Sequence, residues 1–193
     1  MNQTPTQSIL HEPEFSQAEL VKLLNASGDE EKALFSYASE VKQQHVGNTV
    51  YLRGLIEFSN ICEKNCYYCG IRRDNTSTHR YCLTNGEVLE AIRFAHENGF
   101  GSVAIQSGEL SSDAFIRKID FILKEAMRMT NREIGITLSC GEQSEEVYRR
   151  WFESGAGRYL LRIESSSGEL YRKIHPDDDT HRFDKRLNAL ESL

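Results

Sequence analysis

Residues 50–58 read VYLRGLIEF and run directly into SNICEKNCYYCG over residues 59–70, an apolar segment followed by a loop with three closely spaced cysteines. The first part has the composition of a strand, and the second has the small and polar residues of a loop. Outward from this point, three more runs read as strands: 102–106 (SVAIQ), 134–139 (IGITLS) and 159–163 (YLLRI). Helical patterns with readable starts lie between them. Thr84 and Glu87 form a T-x-x-E capping box, Ser112 stands ahead of FIRKIDFILKEAM, and Ser144 precedes EEVYRRWF. Gly99 and Gly155 are placed to stop the first and third of these helices. Strands alternating with helices imply parallel strands joined by right-handed crossovers, so the class is α/β.

Ahead of the alternation, Ser16 and Glu19 form a second capping box, opening a helix through Leu20, Leu23 and Leu24. Asp29 is expected to cap a longer helix through Leu34, Tyr37 and Val41, and Gly47 to end it. Within the later helices, Tyr148, Trp151 and Phe152 follow helical spacing and are expected to face the sheet.

Composition narrows the function. The 193 residues are 39% hydrophobic and 27% charged, ordinary for a globular chain. No apolar stretch is long enough to suggest a membrane span, and the polar start MNQTPTQS lacks a signal-peptide pattern, so a cytoplasmic protein is expected. The net charge of −6, with both signs interspersed, argues against nucleic-acid binding. Five cysteines, three of them clustered, fit metal binding in a reducing compartment better than a disulfide framework.

The spacing Cys62-x-x-x-Cys66-x-x-Cys69 supplies three soft thiolates, which select zinc or iron–sulfur. Three thiolates can hold three corners of a [4Fe–4S] cluster, leaving one iron free to be chelated by the amino and carboxylate groups of a small molecule. A zinc knuckle completed by His79 or Cys82, or three ordinary buried cysteines, are the alternatives. Cys82 and Cys140 read as buried small apolar residues, and His79, His96, His175 and His181 show no pairing that suggests a catalytic dyad. Ligands collect at the carboxyl ends of parallel strands. There the chain places the cysteines, then Ser107-Gly108-Glu109, then Thr137 and Ser139, and lastly Arg162 and Glu164. Gly108 fits a close backbone approach, a positive φ or a plain βα turn.

The run RGLIEFSNICEKNCYYCGIRRDN (53–75), with QSGE (106–109), TLSCGE (137–142) and RYLLRIE (158–164), resembles the radical S-adenosylmethionine superfamily. Within its biotin-synthase-like group the likeness is to the HydE type of [FeFe]-hydrogenase maturase, from about Arg53 to the C-terminus. The resemblance implies a TIM-type (β/α) barrel with a [4Fe–4S] cluster on Cys62, Cys66 and Cys69, and S-adenosylmethionine as cofactor. It implies reductive cleavage of that cofactor to a 5′-deoxyadenosyl radical, used in maturing the hydrogenase active-site cluster. Methylornithine-synthase-like or biotin-synthase-like enzymes, and a non-catalytic zinc module, are the alternative functions. By the same resemblance Tyr68 packs against adenine, Ser107, Gly108, Glu109 and Ser139 line the cofactor, Glu164 binds the ribose hydroxyls and Arg186 pairs with the cofactor carboxylate. Arg162 and Thr137 would face the substrate, a small or organometallic molecule. Ferredoxin or flavodoxin would donate the electron under anaerobic conditions, and other hydrogenase maturases are possible partners. Ile163 and Cys82 depart from the family pattern, and a small insertion falls around Asp177 to Thr180.

The expected division is a helical leader over 1–47 and a partial barrel over 48–193. Only about four βα units fit, whereas closure takes roughly 200–250 residues, and RLNALESL ends without a stop signal. A fragment, or a chain completed by another, is therefore expected.

Overall fold

The computed structural model describes residues 5–10, 12 and 14–193. They divide into two compact units, one reaching Val50 and the other beginning at Tyr51. The first holds α1 (Pro5–Leu10), α2 (Gln17–Leu24) and α3 (Asp29–Val46). Ile9, Leu10 and Leu23 form its small core, with Leu34 and Tyr37 packed alongside. Ser16 and Glu19 make the expected reciprocal cap of α2. Asp29 does not cap α3: Gly28 occupies that position, and Asp29 is the first helical residue, ion-paired to Lys32 at 2.9 Å. A carboxylate there still complements the helix dipole.

The second unit is a four-stranded, all-parallel sheet in the sequential order β1 (Arg53–Ser59), β2 (Ser102–Ser107), β3 (Gly135–Ser139), β4 (Ala156–Tyr159). Helices α4 (Asn85–Glu97), α5 (Asp113–Met129) and α6 (Glu145–Ser154) join successive strands, and α7 (Gly168–Ile174) and α8 (Phe183–Glu191) follow. This is a partial (β/α) barrel. The caps of α4, α5 and α6 form at Thr84, Ser112 and Ser144 as their sequences require.

Alternation sorts each strand into two faces. Ile56, Phe58, Val103, Ile105, Ile136 and Leu138 turn toward the helices and pack with Val88, Ile92, Phe115, Ile119, Leu123 and Trp151 in one continuous core. The other face carries Leu55, Ala104, Thr137 and Arg158 in one row, and Glu57, Gln106 and Ser139 in the next, nearer the carboxyl ends.

The first and fourth strands differ from their sequence readings. β1 begins at Arg53, opposite Ser102, so Val50, Tyr51 and Leu52 lie outside the ladder and are exposed. β4 is shifted toward the N-terminus. Gly155, at φ 123°, ends α6, and the next residue, Ala156, already pairs with Ile136. The apolar LLRI run lies beyond the ladder, apart from one hydrogen bond from Leu160 N–H to the Leu138 carbonyl at 2.8 Å.

Trp151 is fully buried, its Nε1–H donating to the Ile116 carbonyl at 3.2 Å and its ring stacked 6.2 Å from that of Tyr159. Phe152 is 69% exposed, contrary to expectation, because adjacent helical residues diverge by about 100° and only one can face the sheet. Replacing Trp151 with alanine is expected to cost about 3–5 kcal/mol. Trp151 is the only tryptophan, so denaturant unfolding of the variant should be followed by circular dichroism. Beside it, Asp120 joins α5 to α6 by bonds to Arg150 at 2.9 Å and Ser154 at 2.5 Å. Arg150, with Ser154 and Lys124, holds that carboxyl well below the ordinary range despite its burial.

Candidate metal centre

The loop after β1 has no ladder to join, so side chains satisfy its backbone. Arg80 does most of this. Its guanidinium donates to the carbonyls of Asn60 (2.7 Å), Ile71 (2.9 Å), Arg72 (2.6 Å) and Asn75 (3.2 Å), gathering both ends of the cysteine segment. Asn60 clasps the returning chain, donating to the His79 carbonyl at 2.7 Å and accepting from Tyr81 N–H at 2.9 Å. Between these anchors lie Cys62, Cys66 and Cys69, with Cys69 N–H donating to the Cys66 carbonyl at 3.0 Å.

The end of β2 holds the other side of the loop. Gly108 N–H donates to the Ser59 carbonyl at 3.0 Å, and Glu63 N–H to the Glu109 carbonyl at 2.8 Å. Glu109 N–H points at Cys62 Sγ at 3.3 Å. Gly108 has no positive φ. It is glycine because a Cβ there would strike the Ile61 carbonyl, lying 2.7 Å from its carbon and 2.8 Å from Cys62 Cβ. The close approach is to the protein's own loop.

Burial pushes the Cys62 thiol up, opposed by the N–H groups of Glu109 and Lys64 and reinforced by the charges of Glu109 and Cys69. Burial also raises Cys66; Tyr68 hydrogen-bonds it in the opposing direction, while Cys62 and Cys69 repel its charge. Neighbouring cysteine charges thus oppose the ionisation of Cys62 and Cys66, a cost that a bound cationic centre removes.

Next to them lies a buried charge cluster. Lys64 Nζ is 3.0 Å from Glu109 and 2.9 Å from Glu142, and Arg186 is 2.7 Å from Glu142 and 3.4 Å from Glu109. The 2.7 Å contact of Arg186 Nε with Glu142 Oε1 is an ion pair without hydrogen-bond alignment. Burial works against the charge of Lys64, but the two carboxylates outweigh it and raise its pKa; the same balance raises Arg186. Burial moves Glu109 upward against both cations. The four residues come from the cysteine loop, the ends of β2 and β3, and α8, and tie these parts together.

The expected site residues divide accordingly. Arg186 and the Glu109 side chain face each other, so Arg186 meets protein carboxylates in this structure. Ser107 Oγ donates to the Gly108 carbonyl at 2.7 Å and lies against the Cys140 thiol, turned inward. Thr137 is buried and Ser139 half-buried on the face opposite the helix core. Arg162 and Glu164 are exposed beyond β4, Glu164 at φ 61°. Tyr68 is half-exposed; its hydroxyl is raised first by burial and then by Cys66, with the charge of Glu164 adding to them.

One sequence reading changes. Cys140 is buried as expected, but Cys82 is exposed, its sulfur accepting from Lys118 Nζ at 3.1 Å. Of the four histidines in the sequence reading, His96 meets Glu133 at 2.9 Å, His175 meets Tyr68 at 3.1 Å and His181 meets Asp178 at 2.7 Å. Lys64, Arg80 and Glu142 were not singled out. Lys64 lies within the 53–75 run and Glu142 ends TLSCGE, whereas Arg80 falls in none of the quoted runs.

Residues 56–193 match the family model described as Radical SAM superfamily. The chain belongs to the radical SAM superfamily. It is 43% identical over 164 residues to "[FeFe] hydrogenase maturase subunit HydE" of Thermotoga maritima, covering 84% of this chain and 44% of that protein. It is 30% identical to a 3-methylornithine synthase of Methanosarcina barkeri, over 81% of this chain and 43% of that one. Among solved structures, the FeFe-hydrogenase maturase HydG from Carboxydothermus hydrogenoformans superposes with a TM-score of 0.79 at 27% identity, covering 97% of this chain and 44% of that chain. The chain therefore spans less than half the length of these relatives.

Radical SAM proteins use a [4Fe–4S] cluster and S-adenosylmethionine. The donors here fit such a cluster. Among the described residues no three His, Cys, Asp or Glu side chains are arranged to hold a single metal ion. A closed zinc site needs its donors to converge on one ion, whereas cubane thiolates each take a separate iron and need not converge on a point. No helix among the described residues is long and apolar enough to cross a membrane.

Proposed function

We propose that the protein carrying this chain is a HydE-like radical SAM enzyme acting in maturation of the [FeFe]-hydrogenase active-site cluster. The observation that carries this is one cysteine loop, clamped by the end of β2 at the carboxyl edge of a parallel sheet, in a chain 43% identical to a HydE. In this reading the described residues up to 47 belong to the helical leader and 48–193 to the barrel part. Cys62, Cys66 and Cys69 hold the cluster, which when bound supplies the electron that cleaves S-adenosylmethionine to methionine and a 5′-deoxyadenosyl radical.

The protein's own residues bind and orient. Tyr68 offers its ring to the adenine and Glu164 two acceptor oxygens to the ribose hydroxyls. The backbone of Ser107 to Glu109, with Ser139, lines the methionine end. Arg186 has five N–H donors, of which Nε and Nη2 face Glu142 and Glu109. A cofactor carboxylate would take up the remaining donors of this fork or displace a glutamate from it. Thr137 and Arg162 face an anionic small or organometallic substrate, and the electron comes from a ferredoxin or flavodoxin in an anaerobic cytoplasm.

Anaerobic reconstitution is expected to give about four irons per chain, and the reduced protein to form 5′-deoxyadenosine. One equivalent of zinc without iron would overturn the cluster assignment. In a maturation mixture lacking HydE, the protein is expected to restore hydrogenase activity. Failure there with cofactor cleavage intact would overturn the maturation role alone.

A further inference from the structure

The segment from Ile174 to His181, between α7 and α8, crosses the cysteine loop and bonds to it repeatedly. Tyr67 N–H donates to the Ile174 carbonyl at 3.0 Å, Lys64 Nζ donates to the Thr180 carbonyl, and the Tyr68 hydroxyl lies 3.1 Å from His175 Nε2. The most specific of these contacts is to His181. Asn65 N–H donates to its Nε2 at 2.8 Å, and the ring is buried. On the opposite edge, Nδ1 is 2.7 Å from Asp178 Oδ1 and 2.9 Å from Thr180 Oγ1. Asp178 is itself held, accepting from Thr180 N–H at 2.8 Å.

A main-chain amide can only donate, so Nε2 must be the bare nitrogen and the proton must sit on Nδ1, toward Asp178. The geometry therefore settles the tautomer. Asn65 immediately precedes Cys66, so the N–H that His181 accepts belongs to the Lys64–Asn65 peptide, one residue ahead of that cysteine. Groups that orient metal ligands from behind typically change metal affinity by about 10–100-fold when removed.

We propose that His181, oriented by Asp178, is a positioning residue that sets the backbone entering Cys66 and so the placement of that thiolate on the cluster. This rests on the reading of Cys62, Cys66 and Cys69 as cluster ligands.

The test uses the whole protein, reconstituted anaerobically, as wild type and as His181→Leu, His181→Gln and Asp178→Asn. His181→Leu is expected to lose its iron to a chelator about 10-fold more readily and to show an altered electron paramagnetic resonance spectrum when reduced. His181→Gln, whose amide oxygen can accept the same N–H, is expected to recover most of both properties, and Asp178→Asn to fall between them. Thermal unfolding by circular dichroism reports folding separately. Wild-type iron retention and spectrum in folded His181→Leu would overturn the positioning role alone. An iron-free wild type would overturn the ligand assignment, and this inference with it, before any variant is made. If His181→Leu does not fold, imidazole nitrogen resonances of the iron-free wild type decide: the Nδ1–H tautomer supports the proposal and the Nε2–H tautomer overturns it.

Discussion

Replacing Cys66 with alanine is expected to reduce the reconstituted protein from about four irons per chain to fewer than about one, with loss of cofactor cleavage. The loop offers three thiolates, and a cubane left with two protein ligands exposes two irons to solvent and chelators. The fold should survive, since the loop is held by Arg80, Asn60 and the end of β2, none of which uses the Cys66 sulfur. Cys140→Ala is the control. Its thiol is fully buried and pushed up to about 12 by that burial, so it stays protonated against Ser107 and cannot serve as a thiolate ligand. That variant is expected to keep its iron at a stability cost of roughly 1 kcal/mol. Iron and cleavage activity retained in Cys66→Ala would sink the ligand assignment.

Gly108→Ala is expected to have the next largest effect, and for a different reason. The added methyl meets the Ile61 carbonyl carbon at 2.7 Å and Cys62 Cβ at 2.8 Å. These atoms belong to the backbone and to the root of a side chain, so no rotamer change relieves the overlap. The cysteine loop must move off β2, straining the bonds from Gly108 N–H to Ser59 and from Glu63 N–H to Glu109, and displacing Cys62 from the amide of Glu109. Overpacking of this kind costs about 1–3 kcal/mol, and the displacement falls on a cluster ligand. Lower thermal stability together with a sharp loss of bound iron is the expected result. Gly101→Ala, which meets nothing within 4 Å, should change neither. Normal iron binding in Gly108→Ala would show that the loop does not depend on this contact.

Much of the fold was legible because most of β1, β2 and β3 coincides with apolar runs and because serine and threonine caps mark the helices between them. β4 was not, for a physical reason. It is an edge strand written Ala-Gly-Arg-Tyr, and its place is set by pairing with Ile136 to Leu138 rather than by its own hydrophobicity. Helix α7 is similarly hidden in a polar stretch that buries only Tyr171. At the site, the cysteines stood out as candidate ligands because metal ligation demands a local spacing. Lys64 and Glu142 did not, nor did their pairing with Glu109 and Arg186, since each looks like a surface residue until strands β2 and β3 and helix α8 bring it to its partners.

By itself, the order of residues determined the α/β class and the parallel alternation and singled out three cysteines as candidate thiolate ligands, because these depend on periodicity and spacing within a few residues. Only the tertiary structure decided what holds those thiolates in place: Gly108 against Ile61, Arg80 across the loop's carbonyls, and His181 on the amide before Cys66. Such contacts join residues up to 116 positions apart in the chain. Nothing local in a glycine, an arginine or a histidine announces which distant backbone group it will meet.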